Sequence, residues 1–135
     1  MGRVGNQLRR LGDRVLTGKL TRESEFADDD HRNFNRHGER FDVGETFSGV
    51  DYDVALDAVD EIRRVLPPGM TMSQFALRWI LMFDAVSCAI PGGKRAGQVA
   101  ENCAAAELPA LTEEGMSAIR KIHGQRIHGL VHHRW

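Results

Sequence analysis

Val86-Ser87-Cys88-Ala89-Ile90-Pro91-Gly92-Gly93-Lys94-Arg95 is a short apolar run that breaks on a Pro-Gly-Gly turn and ends on two cations. The β-formers at its ends and its abrupt stop predict one strand over Val86–Ile90. Beyond the turn, Val99, Ala100, Cys103 and Ala104 recur at helical spacing, which predicts a helix near Gly97–Glu107. A strand, a glycine turn and a helix in that order have a recognisable physical use. Small residues let the backbone approach a phosphate, a helix N-terminus offers free N–H donors, and Lys94 and Arg95 add positive charge. Taken alone, the same stretch reads more readily as a structural turn with solvated basic residues.

Upstream of it, Thr71-Met72-Ser73-Gln74 fits a capping box, because Gln74 can reach back to the cap while Thr71 covers an orphan donor. The helix it opens, near Met72–Phe83, is apolar nearly all round and expects cover on most sides. Asp51 is the N-cap of another helix, near Asp51–Leu66, with Val54, Ala55, Ala58, Val59, Ile62 and Val65 on one face until Pro67-Pro68-Gly69 stops it. A fourth helix, near Glu113–His123, is capped by Thr112 and carries Met116, Ile119 and Ile122. The tail from Gly124 to Trp135 has no clear period. One buried-type strand among four helices cannot make a sheet, since its backbone groups would lie unpaired. The pattern asks for partner strands, from the amino-terminal arm, from another chain, or from the rest of a larger α/β fold.

The first half is less regular. Met1–Arg14 is basic and weakly patterned, a frayed helix or an unstructured arm, with room for a second strand near Arg10–Leu16. From Leu16 to Val50 neither helical period nor alternation is visible, so a long irregular segment is expected. Its spaced Phe26, Phe34, Phe41 and Phe47 argue for docking onto something, because a freely solvated linker rarely carries four aromatics.

Composition excludes several function classes. The 135 residues suffice for one ordinary core, which typically forms at about 100–150 residues. They are 41% hydrophobic and 27% charged, and 18 basic against 19 acidic residues give a net charge of −1, with no broad attraction to nucleic acid or an anionic membrane. The longest apolar run, Phe75–Phe83, is broken by Arg78 and falls short of the about 20 residues of a membrane span. No apolar stretch of signal-peptide length follows Met1, so a cytoplasmic location is expected. Cys88 and Cys103 lack a CxxC spacing and read as reduced packing residues.

Three segments in order carry a family resemblance. Ile90-Pro91-Gly92-Gly93-Lys94-Arg95-Ala96-Gly97-Gln98-Val99-Ala100-Glu101-Asn102 is similar to the last βα unit of the aldo-keto reductases, where it grips the adenosine end of NADP(H). Thr71–Leu81 resembles the helix just before that final barrel strand. The segment from Phe26 through Phe47 resembles the loop after the seventh strand in one bacterial subgroup, and His128–Trp135 resembles that subgroup's carboxy terminus. The resemblance covers Leu16–Trp135 and implies the carboxy-terminal portion of a (β/α)8 TIM barrel, an incomplete α/β fold, helix-rich with one or two strands. It divides the chain into a divergent arm, residues 1–15, and a partial reductase domain, residues 16–135.

What the resemblance implies for chemistry is one-sided. The cofactor-binding residues it assigns are Leu16, Thr17, Gly18 and Lys19 in the seventh-strand turn, then Ile90, Pro91, Gly92, Gly93, Lys94, Arg95, Gln98 and Asn102. Gln98 and Asn102, one turn apart, would face adenine, with Val99 and Cys103 toward the core. Asp13 stands where the family places a phosphate-contacting Ser and would repel a pyrophosphate. The family's catalytic Asp, Tyr, Lys and His lie on earlier strands, before anything this sequence contains, so it assigns no catalytic residue here. Tyr52, the sole tyrosine, opens a helix far from any matching motif. His128, His132 and His133 lack a recognisably spaced third ligand, and Asp28-Asp29-Asp30 lacks the spacing of a calcium loop, so solvated roles are expected for both and no metal. The expected function is that of an NADP(H)-dependent carbonyl reductase, present as a fragment inactive alone. The alternative is a non-catalytic nucleotide-binding or assembly module that pairs with itself or with a complementary barrel fragment.

Overall fold

The computed structural model describes residues 15–134. Asp13, Trp135 and most of the expected strand near Arg10–Leu16 lie outside these residues. Where that strand would end, Val15–Thr17 form a single 3-10 turn.

The helices follow their caps. A one-turn helix α1, His31–Phe34, starts where the Asp30 carboxylate accepts from the Arg32 N–H. Helix α2, Tyr52–Arg64, begins at Asp51, whose side chain accepts from the N–H groups of Asp53 and Val54. Helix α3, Met72–Ile80, has the full reciprocal box: Thr71 Oγ1 accepts from Gln74 N–H, and Gln74 Oε1 accepts from Thr71 N–H. Helix α4 spans Ala96–Ala104, and α5, Glu113–Ile122, is capped by Thr112. These four longer helices are the ones expected, each shorter by one to three residues. The tail does not end there. A π turn, His123–Ile127, continues α5 into α6, His128–Val131, and a final 3-10 turn, His132–Arg134.

Two cores share these helices. The first gathers on α2, where Ala55, Leu56, Ala58 and Val59 pack with Val15, Phe47, Val50, Tyr52, Met72, Ile122, Ile127 and Val131. Burying one such Val, Leu or Ile contributes roughly 1.5–3 kcal/mol. The second joins α3 to α5 through Phe75, Leu111, Met116 and Ile119, with Trp79, Met82 and Phe83 partly covered. Of α3 only Met72 and Phe75 are buried, so the cover its composition demands is incomplete.

The strand expected over Val86–Ile90 does not form, and no strand occurs among the described residues. The segment runs without regular structure, with Cys88 exposed and Ile90 93% exposed. The reason is pairing: a lone extended segment gains no ladder hydrogen bonds and leaves its backbone to water. Both cysteines are free and exposed, so neither is the packing residue its apolar neighbours suggested.

The long segment before α2 is irregular, as expected, but closely tied. Asn35 is fully buried; its Oδ1 accepts from the N–H groups of Arg40 and Phe41 at 2.8 and 2.9 Å, and its Nδ2 donates to Thr46 Oγ1 at 3.1 Å. Phe26 and Phe47 dock on Tyr52, with ring centroids 6.1 and 4.9 Å away, and the Arg32 and Arg36 guanidiniums lie over the Phe26 ring. Phe34 and Phe41 pair edge-on at the surface. Arg32 also donates Nε and Nη2 to Asp30, which holds that carboxyl far below the usual carboxylate range. The stability this contributes is present above the ordinary carboxylate pKa and is lost as pH falls further.

Phe47, Ser48 and Gly49 have φ of 48°, 59° and 77°, a left-handed turn in which the Ser48 hydroxyl is buried without a hydrogen-bond partner. Ser48→Gly removes both the left-handed penalty and the orphan hydroxyl, and should raise stability by about 1 kcal/mol in urea denaturation. Unchanged or lower stability would mean that the turn is not strained. Asn35→Ala strands two N–H donors and should lower stability by about 2 kcal/mol or more in the same assay.

Candidate cofactor-binding turn

The sequence-derived site residues fall into two groups that lean on the same helix. In the first, Leu16 and Thr17 sit in the opening 3-10 turn, and Thr17 Oγ1 accepts from Lys19 N–H at 3.4 Å. Gly18 has φ of 68°, and a Cβ there would stand 3.2 Å from Arg63 Nη2 and 3.3 Å from Met72 Cγ. Its carbonyl accepts from Arg63 Nη2. Glycine is therefore required by the docking of this turn between α2 and α3. Lys19 is exposed beside it.

The second group is the turn ahead of α4. Gln98 Oε1 accepts from the N–H groups of Lys94 at 2.9 Å and Arg95 at 3.2 Å, and Asn102 Nδ2 donates to Gly92 O at 3.4 Å. Both side chains, expected to face adenine, are turned onto the backbone of the turn that precedes their helix. Gly93 is needed for this closure, because a Cβ would meet Val99 Cγ2 at 2.9 Å. Gly92 and Gly97 face open space instead. The N–H of Gln98 reaches Arg95 O at 3.0 Å, so those of Ala96 and Gly97 remain as the orphan donors of the helix start.

Ile90, Pro91, Lys94 and Arg95 are all exposed, and neither cation forms an ion pair with a described residue. Two cations, two open glycines and a nine-residue helix presenting its N-terminus are the chemistry of a phosphate cradle. The turn thus offers cations and free N–H donors to an anionic group, while Gln98 and Asn102 are held by its own backbone. Val99 and Cys103 do not turn toward a core: Val99 is 48% exposed and Cys103 is exposed. The helix α4 meets the rest of the molecule through α3, and Ala105, just past its end, is the residue it buries completely.

That junction is held by a residue that no local pattern singles out. Glu101 Oε1 accepts from Thr71 Oγ1 at 2.7 Å, and Gln74 Nε2 reaches Glu101 O at 3.5 Å. The capping box of α3 thereby also fastens α4. Thr71 and Glu101 are thirty residues apart, and no local spacing announces such a pair.

Other candidates have structural roles. Tyr52 is buried, its hydroxyl donating to Thr21 O at 2.8 Å under the Arg36 guanidinium. No group of three or more His, Cys, Asp or Glu side chains converges as a metal site among the described residues. An apolar cleft of about 300 Å³ between Pro67, Pro68, Phe75, Pro109 and Leu111 includes none of the cofactor residues. No helix among the described residues is long and apolar enough to cross a membrane.

The sequence matches the model of the aldo/keto reductase family over residues 8–123, and the chain belongs to that family. Membership brings an oxidoreductase-like function and the family's (β/α)8 barrel as its fold of reference. No curated protein and no solved structure matches the chain.

Gln98→Ala should free the Lys94 and Arg95 N–H groups and fray the start of α4, a loss of about 1 kcal/mol typical of a missing cap. Amide exchange read at Lys94, Arg95 and Val99 checks this. Unchanged protection there would mean that Gln98 does not hold the turn.

Proposed function

We propose that this chain is the carboxy-terminal, adenosine-gripping portion of an NADP(H)-dependent carbonyl reductase barrel of the bacterial type, and that it is inactive by itself. The observation that carries the reading is the cradle at Gly92–Gly97, with Lys94 and Arg95 free to meet a phosphate at the N-terminus of α4. Lys94 and Arg95 would hold the 2′-phosphate that separates NADP from NAD, assisted by the N–H groups of Ala96 and Gly97. The remaining residues assigned by resemblance, Leu16, Thr17, Gly18 and Lys19, would lie along the pyrophosphate side. When bound, the reduced nicotinamide supplies the hydride that a carbonyl carbon receives. Tyr52, whose hydroxyl donates to Thr21 O, is not placed to give the matching proton, which supports inactivity of the chain by itself. The incomplete barrel is supported by the apolar Val86–Ile90 segment, irregular and without a neighbouring strand among the described residues, and by the half-covered face of α3.

The same uncovered features favour a second reading, an assembly module whose partner is a complementary barrel fragment or a second copy of the chain. On either reading the chain alone should self-associate or behave as a loosely packed monomer. Light scattering with hydrophobic-dye binding checks this; a compact monomer with no dye signal and a sharp melt would count against both readings of the uncovered faces.

Titration with 2′-phosphorylated and unphosphorylated adenosine nucleotides tests the cradle. Binding should favour the 2′-phosphorylated ligand, be no tighter than about millimolar, roughly −4 kcal/mol, and lose its preference in Lys94→Ala and Arg95→Ala. Equal affinities, unchanged by the substitutions, would leave the turn as scaffold only. With NADPH and an aldehyde, turnover of about 1 per second or more would contradict the inactivity.

A further inference from the structure

We infer that residues 84–94 pair antiparallel with the same segment of a second copy of this chain, about a two-fold axis through Cys88. The pairing rests on the assembly reading above, and fixes its partner and register. The segment is open to a partner: Ser87, Cys88 and Ile90 are exposed, Ala89 is half-buried, and the N–H groups of Ser87 and Ala89 meet no acceptor among the described residues. The N–H of Val86 differs. It donates to Phe83 O at 2.8 Å, in the turn that ties the segment to the end of α3.

That one bond sets the ladder. Residues on an antiparallel pair alternate between positions that exchange hydrogen bonds with the partner strand and positions that do not. With its N–H already taken, Val86 belongs to the second kind, and by the period of two so do Cys88 and Ile90. Ser87 and Ala89 are left to exchange bonds. With the axis at Cys88, Ser87 of one copy faces Ala89 of the other, so both open N–H groups find carbonyls. Pro91 has no N–H to give, and the ladder ends there.

Side chains and charges select the same register. Val86 stands opposite Ile90 of the second copy, and Cys88 opposite its own counterpart, an apolar stripe with a β-branched pair at each end. Asp84 and Lys94 are the only charged residues in the segment, both exposed and neither in an ion pair with a described residue. Antiparallel pairing sets each Asp84 diagonal to the other copy's Lys94, within reach of that long side chain. A parallel, in-register pair would set Asp84 beside Asp84 and Lys94 beside Lys94. A two-stranded ribbon alone is marginal. Here each strand adjoins an α3 end whose Trp79, Met82 and Phe83 are only partly buried, so two copies bring two such apolar flanks to the ribbon.

Amide exchange of the full chain at about 10 μM and about 1 mM, with sedimentation in parallel, brackets a modest affinity and tests this. In the dilute monomer Ser87 and Ala89 exchange freely. At the higher concentration a dimer should form and protect both amides about tenfold. Ala89→Pro, which removes a donor from an irregular segment, should abolish dimer and protection while Val59 stays protected, and Asp84→Lys should weaken association. Paired Cys88 residues would have Cα atoms about 4.5 Å apart, within disulfide reach. In a Cys103→Ser chain, diamide, which takes one hydrogen from each of two thiols, should therefore link the copies through Cys88. Self-association without protection at Ser87 and Ala89, or unaltered by Ala89→Pro, would overturn this pairing and leave the assembly reading with another surface. A monomer at both concentrations would overturn the pairing and leave a complementary barrel fragment as the partner.

Discussion

Between Val86 and Gly93 the backbone has no regular structure and no strand beside it among the described residues, and most features of this molecule follow from that. Strand pairing is a contract between two segments, and one segment alone leaves its N–H and C=O groups to water. In a (β/α)8 barrel the strands are the surface on which the helices pack. Among the described residues the helices pack on one another, α2 and α5 sharing the first core and α3 and α5 the second. The helix α3, whose composition asks for cover nearly all round, is left half-buried, and Val99 and Cys103 of α4 face solvent.

The turn ahead of α4 holds without a sheet because its geometry is local. Gln98 and Asn102 fold the turn back on its own helix, Gly93 permits the close approach, and Glu101 fastens the unit to the cap of α3. None of these contacts needs a sheet. The energy of gripping a phosphate likewise lies in a helix N-terminus and two side chains, not in a long-range field. The reductase reaction differs in kind, because it needs an acid, its orienting groups and the nicotinamide arranged about one carbonyl.

Legibility in the sequence followed the same division. Asp51, Thr71 and Thr112 announce their helices because a cap is a contact between residues two or three apart. The glycine turn and its cations were legible for the same reason. The strand at Val86–Ile90 was read from a pattern whose realisation depends on a neighbour, and it failed for want of one. The helical tail was missed because Gly124 and Gly129 weaken the local signal, while Ile127 and Val131 earn their place only through contacts with distant residues. Nor did any local feature mark Asn35 as the buried tie of the long segment, or Arg63 as the partner of Gly18.

The most direct measurement of the central claim is residue-by-residue amide exchange across Ser87–Ile90, compared with the buried helix α2. The account predicts that these amides exchange at nearly the rate of an unstructured chain while Val59 is strongly protected. Slow exchange at Ser87–Ile90 in the chain by itself would show that the segment is paired after all, and would contradict the unpaired segment on which this reading of the fold rests.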